Sequence, residues 1–186
     1  MERASRGGRR RFVIAAAGVS AATVGAGFSA CQGDSTSDRR LQFTSLAAAR
    51  EELERLAQAK TLSSSTAWSW AQTLAHCAQS IEYSMSGFPQ TKPELFQRTI
   101  GSAVFSVFSW RGRMTHDLAE PIPGAPLLDV RAEPGQALGR LRTSMLAFAQ
   151  WPGPLRPHFA YGELTRPQYE LAHAMHLANH LSAYRA

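Results

Sequence analysis

Residues 165–184 read TRPQYELAHAMHLANHLSAY and bring His173, His176 and His180 within eight positions. At about 100° per residue a helix places these three imidazoles within roughly 60° of one another. His176 and His180 form an HxxxH pair, the spacing at which rings on successive turns reach a single ion. The stretch from Leu171 to Tyr184 carries almost no charge, which predicts a largely buried helix. Burying imidazoles without partners is costly, and ligation of a cation removes that cost. A metal site also needs a ligand from elsewhere. His76 is the best candidate, because in AQTLAHCAQSI it sits in mid-helix between apolar turns. The competing reading of all four is a set of hydrogen-bonded core or surface histidines. His116 and His158 lie at or near proline-rich connections, where they fit a pocket rim or plain solvent exposure. Cys77 follows His76 in the chain but points about 100° away on a helix, which predicts a buried apolar thiol.

The elements that must position these residues are helical. SLAAAREELERLAQAK (45–60) has Leu46, Ala49, Leu53, Leu56 and Ala57 at three-and-four spacing. Segment 66–87 runs from a serine-rich turn to Gly87, ahead of Phe88-Pro89. Segment 93–114 starts with Pro93 in a first turn and is apolar on most sides, and 134–151 is stopped by Pro152-Gly153. Between them, residues 120–135 hold four prolines and two glycines and must form a connection. The histidine-rich helix opens with a T-x-x-Q capping box at Thr165 and Gln168, with Pro167 tolerated in the first turn. Only LQF at 41–43 hints at a strand. These elements predict an all-α bundle of four or five helices with proline-rich connections.

The first thirty residues read as an export signal: a basic start, an uncharged stretch from Phe12 to Ala30, and small residues ahead of Cys31. Arg9, Arg10 and Phe12 resemble the twin-arginine export motif. FSAC at 28–31 resembles a lipoprotein cleavage box, with Phe28 where leucine is usual, and implies a lipid on Cys31. The expected organisation is a signal over 1–30, a tether over 31–40 and one helical domain over 41–186. Its expected place is the periplasm or cell envelope, held to the membrane by lipid. The chain has 20 Lys+Arg against 14 Asp+Glu, but five of those arginines and one acid precede Cys31. The chain beyond Cys31 is close to balanced, which removes the basic patch that nucleic-acid binding requires.

One histidine in an early helix and HxxxH in the last resemble the DinB-like (YfiT-like) superfamily of metal-binding four-helix bundles. WAQTLAHCAQSIEYSMSGFPQTKP, IPGAP and HFAYGELTRPQYELAHAMHLANHL are similar to an exported branch of that superfamily classed as a domain of unknown function. The resemblance spans about Leu41 to Tyr184. It implies His76, His176 and His180 as ligands of a divalent metal, zinc or nickel. His173, His158, His116 and Asn179 are expected around them, in the pocket or behind the ligands. Asn179 stands where relatives often have another histidine.

The activity implied is metal-dependent, of a thiol-transferase or hydrolase type. The expected partners are the export machinery, the membrane, a small-molecule thiol or other substrate, and a second copy in a homodimer. A non-catalytic envelope lipoprotein that binds or supports, and a haem bundle using two of the histidines, remain alternatives at this level.

Overall fold

Ser45 starts the first helix, α1 (Leu46–Ala57), by accepting a hydrogen bond from the Ala48 amide through its hydroxyl. The structure, a computed structural model, describes residues 38–186. Arg9, Arg10, Phe12 and Cys31 therefore lie outside the described residues, as does most of the expected tether. Five further α-helices follow: α2 (Trp70–Ser86), α3 (Glu94–Phe96), α4 (Ser102–Arg111), α5 (Pro134–Gln150) and α6 (Arg166–Leu181). A π-helical turn, Gln97–Gly101, joins α3 to α4.

The protein is all-α, with one small addition. Two two-residue strands, β1 (Ser63–Ser64) and β2 (Tyr184–Arg185), pair antiparallel and tie the C-terminus to the α1–α2 connection. The strand hinted at over 41–43 does not form; the Leu41 amide instead donates to the Ser182 hydroxyl at 2.9 Å. Helix α2 begins at 70 rather than 66 because Ser69 and Gln72 complete a capping box there. The expected box at Thr165 and Gln168 is present. The last helix ends at Leu181, short of 184, since the following residues join the strand pair.

Helices α1, α2, α5 and α6 pack into a bundle. Its core runs from Leu46, Leu53 and Leu56 through Leu74, Ile81, Leu141 and Phe148 to Tyr169, Leu177 and Leu181. Burial of such side chains, at about 25 cal/mol per Å², is the main stabilising term. The segment expected as one helix over 93–114 is helical from Glu94 to Arg111 with a π turn inside it, and stops where Gly112 takes a left-handed conformation (φ 63°).

This segment lies outside the four-helix core and touches it through Phe105 and Met114, which cluster with Ala172 and Met175 of α6. Its other face is apolar and open: Leu95 is 76% and Trp110 86% exposed, with Ile100, Val104 and Val107 between them. Among the described residues no helix is long and apolar enough to cross a membrane.

The π turn has a positional role. A Cβ on Gly101 would stand 2.0 Å from the Ala160 carbonyl oxygen, so only glycine allows this approach. One turn earlier, the Gln97 side-chain amide donates to the carbonyls of His158 and Phe159, at 3.4 and 3.2 Å. The tight turn closed by the His158–Gly162 backbone pair is thus gripped from outside, which fixes His158 beside a cavity bordered by α6.

Candidate metal centre

His76 projects from α2, and His176 and His180 from α6, one turn apart. His176 Nε2 lies 3.1 Å from Nε2 of His76 and 3.1 Å from Nε2 of His180. The candidate ligand atoms of the three rings all lie within 4.8 Å of one another. A tetrahedral ion bound at about 2.0–2.1 Å holds its nitrogens about 3.3 Å apart, so two of the three approaches are already near that value. His76 and His180 are 3% and 1% exposed, while the ring of His176 borders the cavity.

Hydrogen bonding alone does not account for this cluster. Each neutral imidazole carries one proton, so His176 Nε2 can donate to one neighbour at most. Nδ1 of His76 and Nδ1 of His180 are buried and have no partner among the described residues. Ligation through Nε2 would leave these two atoms as Nδ1–H donors, so an ion is indicated by the three converging Nε2 atoms and not by them. A cation bound at the convergence point takes all three Nε2 lone pairs at once. The donor set therefore fits a divalent ion, with nitrogen ligands suited to zinc and nickel.

The protonation states agree with ligation. Burial pushes His76 down to about 3, and the nearby His116 adds to the shift. Desolvation, followed by the neighbouring imidazoles, holds His176 and His180 well below the ordinary histidine range. All three rings are thus neutral at physiological pH, the state in which imidazole binds a metal.

Ligating histidines usually donate Nδ1–H to a carboxylate or carbonyl that orients the ring. Here aromatic packing takes that role. Trp68 stacks on His180 (ring centres 6.2 Å, planes 9° apart) and tilts against His76 at 4.9 Å. The Trp68 carbonyl accepts from Tyr184 Oη, whose hydroxyl also meets Thr73 Oγ1 at 2.8 Å.

On the opposite side the cluster opens into a cavity of about 140 Å³. His76, His176, His116, His158 and His173 supply its polar wall, with Met114, Ile122, Phe159 and Tyr161 as apolar surface.

The expected outer residues all lie close by, in different roles. His116 is half-buried and packs its ring 5.1 Å from both His176 and His180. His158 is buried, not a solvent-exposed loop residue, and its Nδ1 accepts from the amides of Ala160 and Tyr161 at 3.2 Å each. His173 reaches Ser84 Oγ at 3.2 Å and stacks on Tyr169. Asn179 donates to the His116 carbonyl at 3.3 Å. Cys77 is buried and free, and desolvation pushes its thiol far up, so it is an apolar filler.

Glu82, arginine-bound, holds no place in the centre: Arg140 Nε and Ser144 Oγ donate to it at 2.9 and 2.8 Å. Arg98 pairs with Glu94 and Arg113 with Asp38.

Three polar cavity residues escaped the sequence reading. Ser80 follows His76 by four positions and so shares its helix face, a signal that was available. Glu120 and Tyr161 come from irregular connections and had no periodicity to reveal them.

An all-α bundle carrying a three-imidazole cluster beside a cavity defines the general class. A family model described as Protein of unknown function (DUF1569) matches residues 35–186, and the chain belongs to this family. No curated protein and no solved structure matches the chain.

Proposed function

We propose that this chain is an exported metalloprotein of the DinB-like kind, binding one zinc or nickel ion through His76, His176 and His180. We propose further that it uses the adjoining cavity for metal-dependent chemistry on a small thiol. The observation that carries the reading is the convergence of three neutral imidazole nitrogens within 4.8 Å of one another, two pairs at 3.1 Å. Three protein ligands leave a fourth position free, as in zinc sites that do chemistry rather than hold structure. Bound there, the ion acts as a Lewis acid that makes a thiol or water a better nucleophile near neutral pH.

The chain's own groups then have definite tasks. His158, with Nδ1 occupied by two amides, carries its proton on Nε2 and is a fixed hydrogen-bond donor. Met114, Ile122, Phe159 and Tyr161 present apolar surface that excludes water and receives an apolar substrate body. Glu120 is the carboxylate on the cavity wall, and a hydrolytic variant of the reading would need it as the base.

Export through the twin-arginine route, a lipid on Cys31 and a place in the cell envelope complete the proposal. Support comes from the residue pattern at 9–12 and 28–31, and from the near balance of charge beyond Cys31, which also argues against a nucleic-acid partner.

Elemental analysis of the purified full chain tests the reading. It predicts close to one zinc or nickel per chain, lost in His176→Ala. Metal-free protein whose melting is unchanged by that substitution would overturn it and leave a non-catalytic envelope lipoprotein. A Soret band would point instead to haem.

A further inference from the structure

We propose that His116 is a fourth imidazole of the centre, closing the metal site in the resting protein and yielding its place to an incoming ligand. The inference rests on the metal reading above. Ring centres of imidazoles on one tetrahedral ion stand about 5 Å apart, given nitrogen–metal bonds of about 2.0–2.1 Å. Within the trio they are 5.0, 4.8 and 4.7 Å apart. His116 is at 5.1 Å from His176 and 5.1 Å from His180, the same spacing to two of the three rings.

Its tautomer is also set. Nδ1 lies 2.8 Å from the Asp117 carbonyl, which can only accept, so Nδ1 holds the proton and Nε2 presents a bare lone pair. Asn179, between the two ligand positions of α6, holds the His116 carbonyl at 3.3 Å and so tethers this segment to the helix that carries His176 and His180. The trio sits on helices, but His116 sits on the irregular connection between α4 and α5. His116 is not one of the three residues whose donor atoms lie within 4.8 Å of one another, so joining them requires its segment to swing inward. Because it also lines the cavity, an outward swing vacates the same place.

Cobalt(II) loaded into the full chain tests this through ligand-field absorption and X-ray absorption, with azide as the incoming ligand. The expected result is four nitrogen ligands in the parent protein. His116→Ala should show three nitrogens and a water, with unchanged helical circular dichroism and azide binding about tenfold tighter or more. Asn179→Ala should fall between them. Identical spectra and azide affinity in parent and His116→Ala would sink the proposal while leaving the three-histidine site intact. A folded parent that takes up no cobalt would sink the metal reading itself.

A different observation carries a second proposal. We infer that the open face of α3–α4 docks a second copy of this chain, helix against antiparallel helix. Leu95, Ile100, Val104, Val107 and Trp110 are all exposed there, and no charged residue interrupts 99–110. Together they offer roughly 500 Å² per copy, the larger part of the ~800 Å² per partner of a standard interface. In an antiparallel pair centred between Ser102 and Ala103, Leu95 meets Trp110 of the other copy and Glu94 meets Arg111. The exposed small residues Thr99, Ala103 and Ser106 let the backbones approach at the crossing.

Light scattering on the full chain should give a dimer, and Glu94→Arg should weaken it more than tenfold. Adding Arg111→Glu should restore it. A parent monomer overturns the proposal, as does a dimer indifferent to Trp110→Ser. If that monomer sediments with anionic lipid vesicles, the face belongs to a membrane instead.

Discussion

Two groups of histidines lie at or beside the same cavity and behave differently. His158 and His173 are anchored by conventional hydrogen bonds. Two amides donate to His158 Nδ1, and His173 must donate Nε2–H to Ser84 Oγ because that hydroxyl's own hydrogen goes to the Ile81 carbonyl at 2.6 Å. His76, His176 and His180 instead turn nitrogen toward nitrogen, and two of their remaining nitrogens find no partner. Both groups are desolvated, and burial pushes His158 and His173 down to about 3, as it does His76. Burial therefore does not separate a structural histidine from a ligand. The difference lies in what the ring nitrogens meet: backbone amides and a hydroxyl in one group, other imidazole nitrogens in the other.

The largest expected effect breaks the comparison along that line. His76→Ala, His176→Ala and His180→Ala should each lower bound zinc or nickel to background in elemental analysis. His173→Ala and His158→Ala should retain close to one ion per chain, losing instead about 1–3 kcal/mol of stability from the vacated space and broken hydrogen bonds. Metal loss on His173→Ala, with the fold intact, would erase the distinction.

Next in size is the support of the anchored group. Gly101→Ala drives a methyl into the Ala160 carbonyl and must shift the turn that carries His158. A cost of about 2 kcal/mol or more is expected in urea unfolding, with little change in metal content. Unchanged stability would show that the turn is looser than the structure has it.

Acid should act on both groups together. A buried neutral histidine whose pKa falls from 6.5 to about 3 on folding binds fewer protons in the native state than in the unfolded chain across that range. The stability it contributes is full above about pH 6.5 and is lost as pH drops toward 3, at up to about 1.4 kcal/mol per pH unit for each ring. The metal-free protein should show a flat unfolding midpoint above pH 7 and a steep fall below 6. His173→Asn should reduce that slope by about one proton.

The smallest effect is expected at Glu82. Its ion pair with Arg140 is partly solvated, so Glu82→Gln should change stability by less than about 1 kcal/mol and leave metal content untouched. A large loss of metal would place Glu82 in the centre.

Much of this was legible in the chain. Apolar periodicity located α1, α2, α5 and α6, and the capping box at Thr165 and Gln168 fixed where the last helix begins. HxxxH set two rings on one face by local geometry alone. The π turn inside the 94–111 segment was not legible, because there Gly101 meets Ala160, a contact between segments about sixty residues apart. Nor was the place of Trp68: a tryptophan ahead of a helix reads as core, and its stacking on His180 needs the whole bundle assembled.

By itself the sequence determined what depends on near neighbours: helices, caps, the shared face of His173, His176 and His180, and the residue types able to bind an ion. Only the tertiary structure decided which imidazoles meet other imidazoles. His173 finds Ser84 on α2, whereas His176 and His180 find His76 on that same helix. Spacing on one helix cannot encode what stands on the next. The pairing is set when α2 and α6 pack their apolar faces and fix which polar atoms meet.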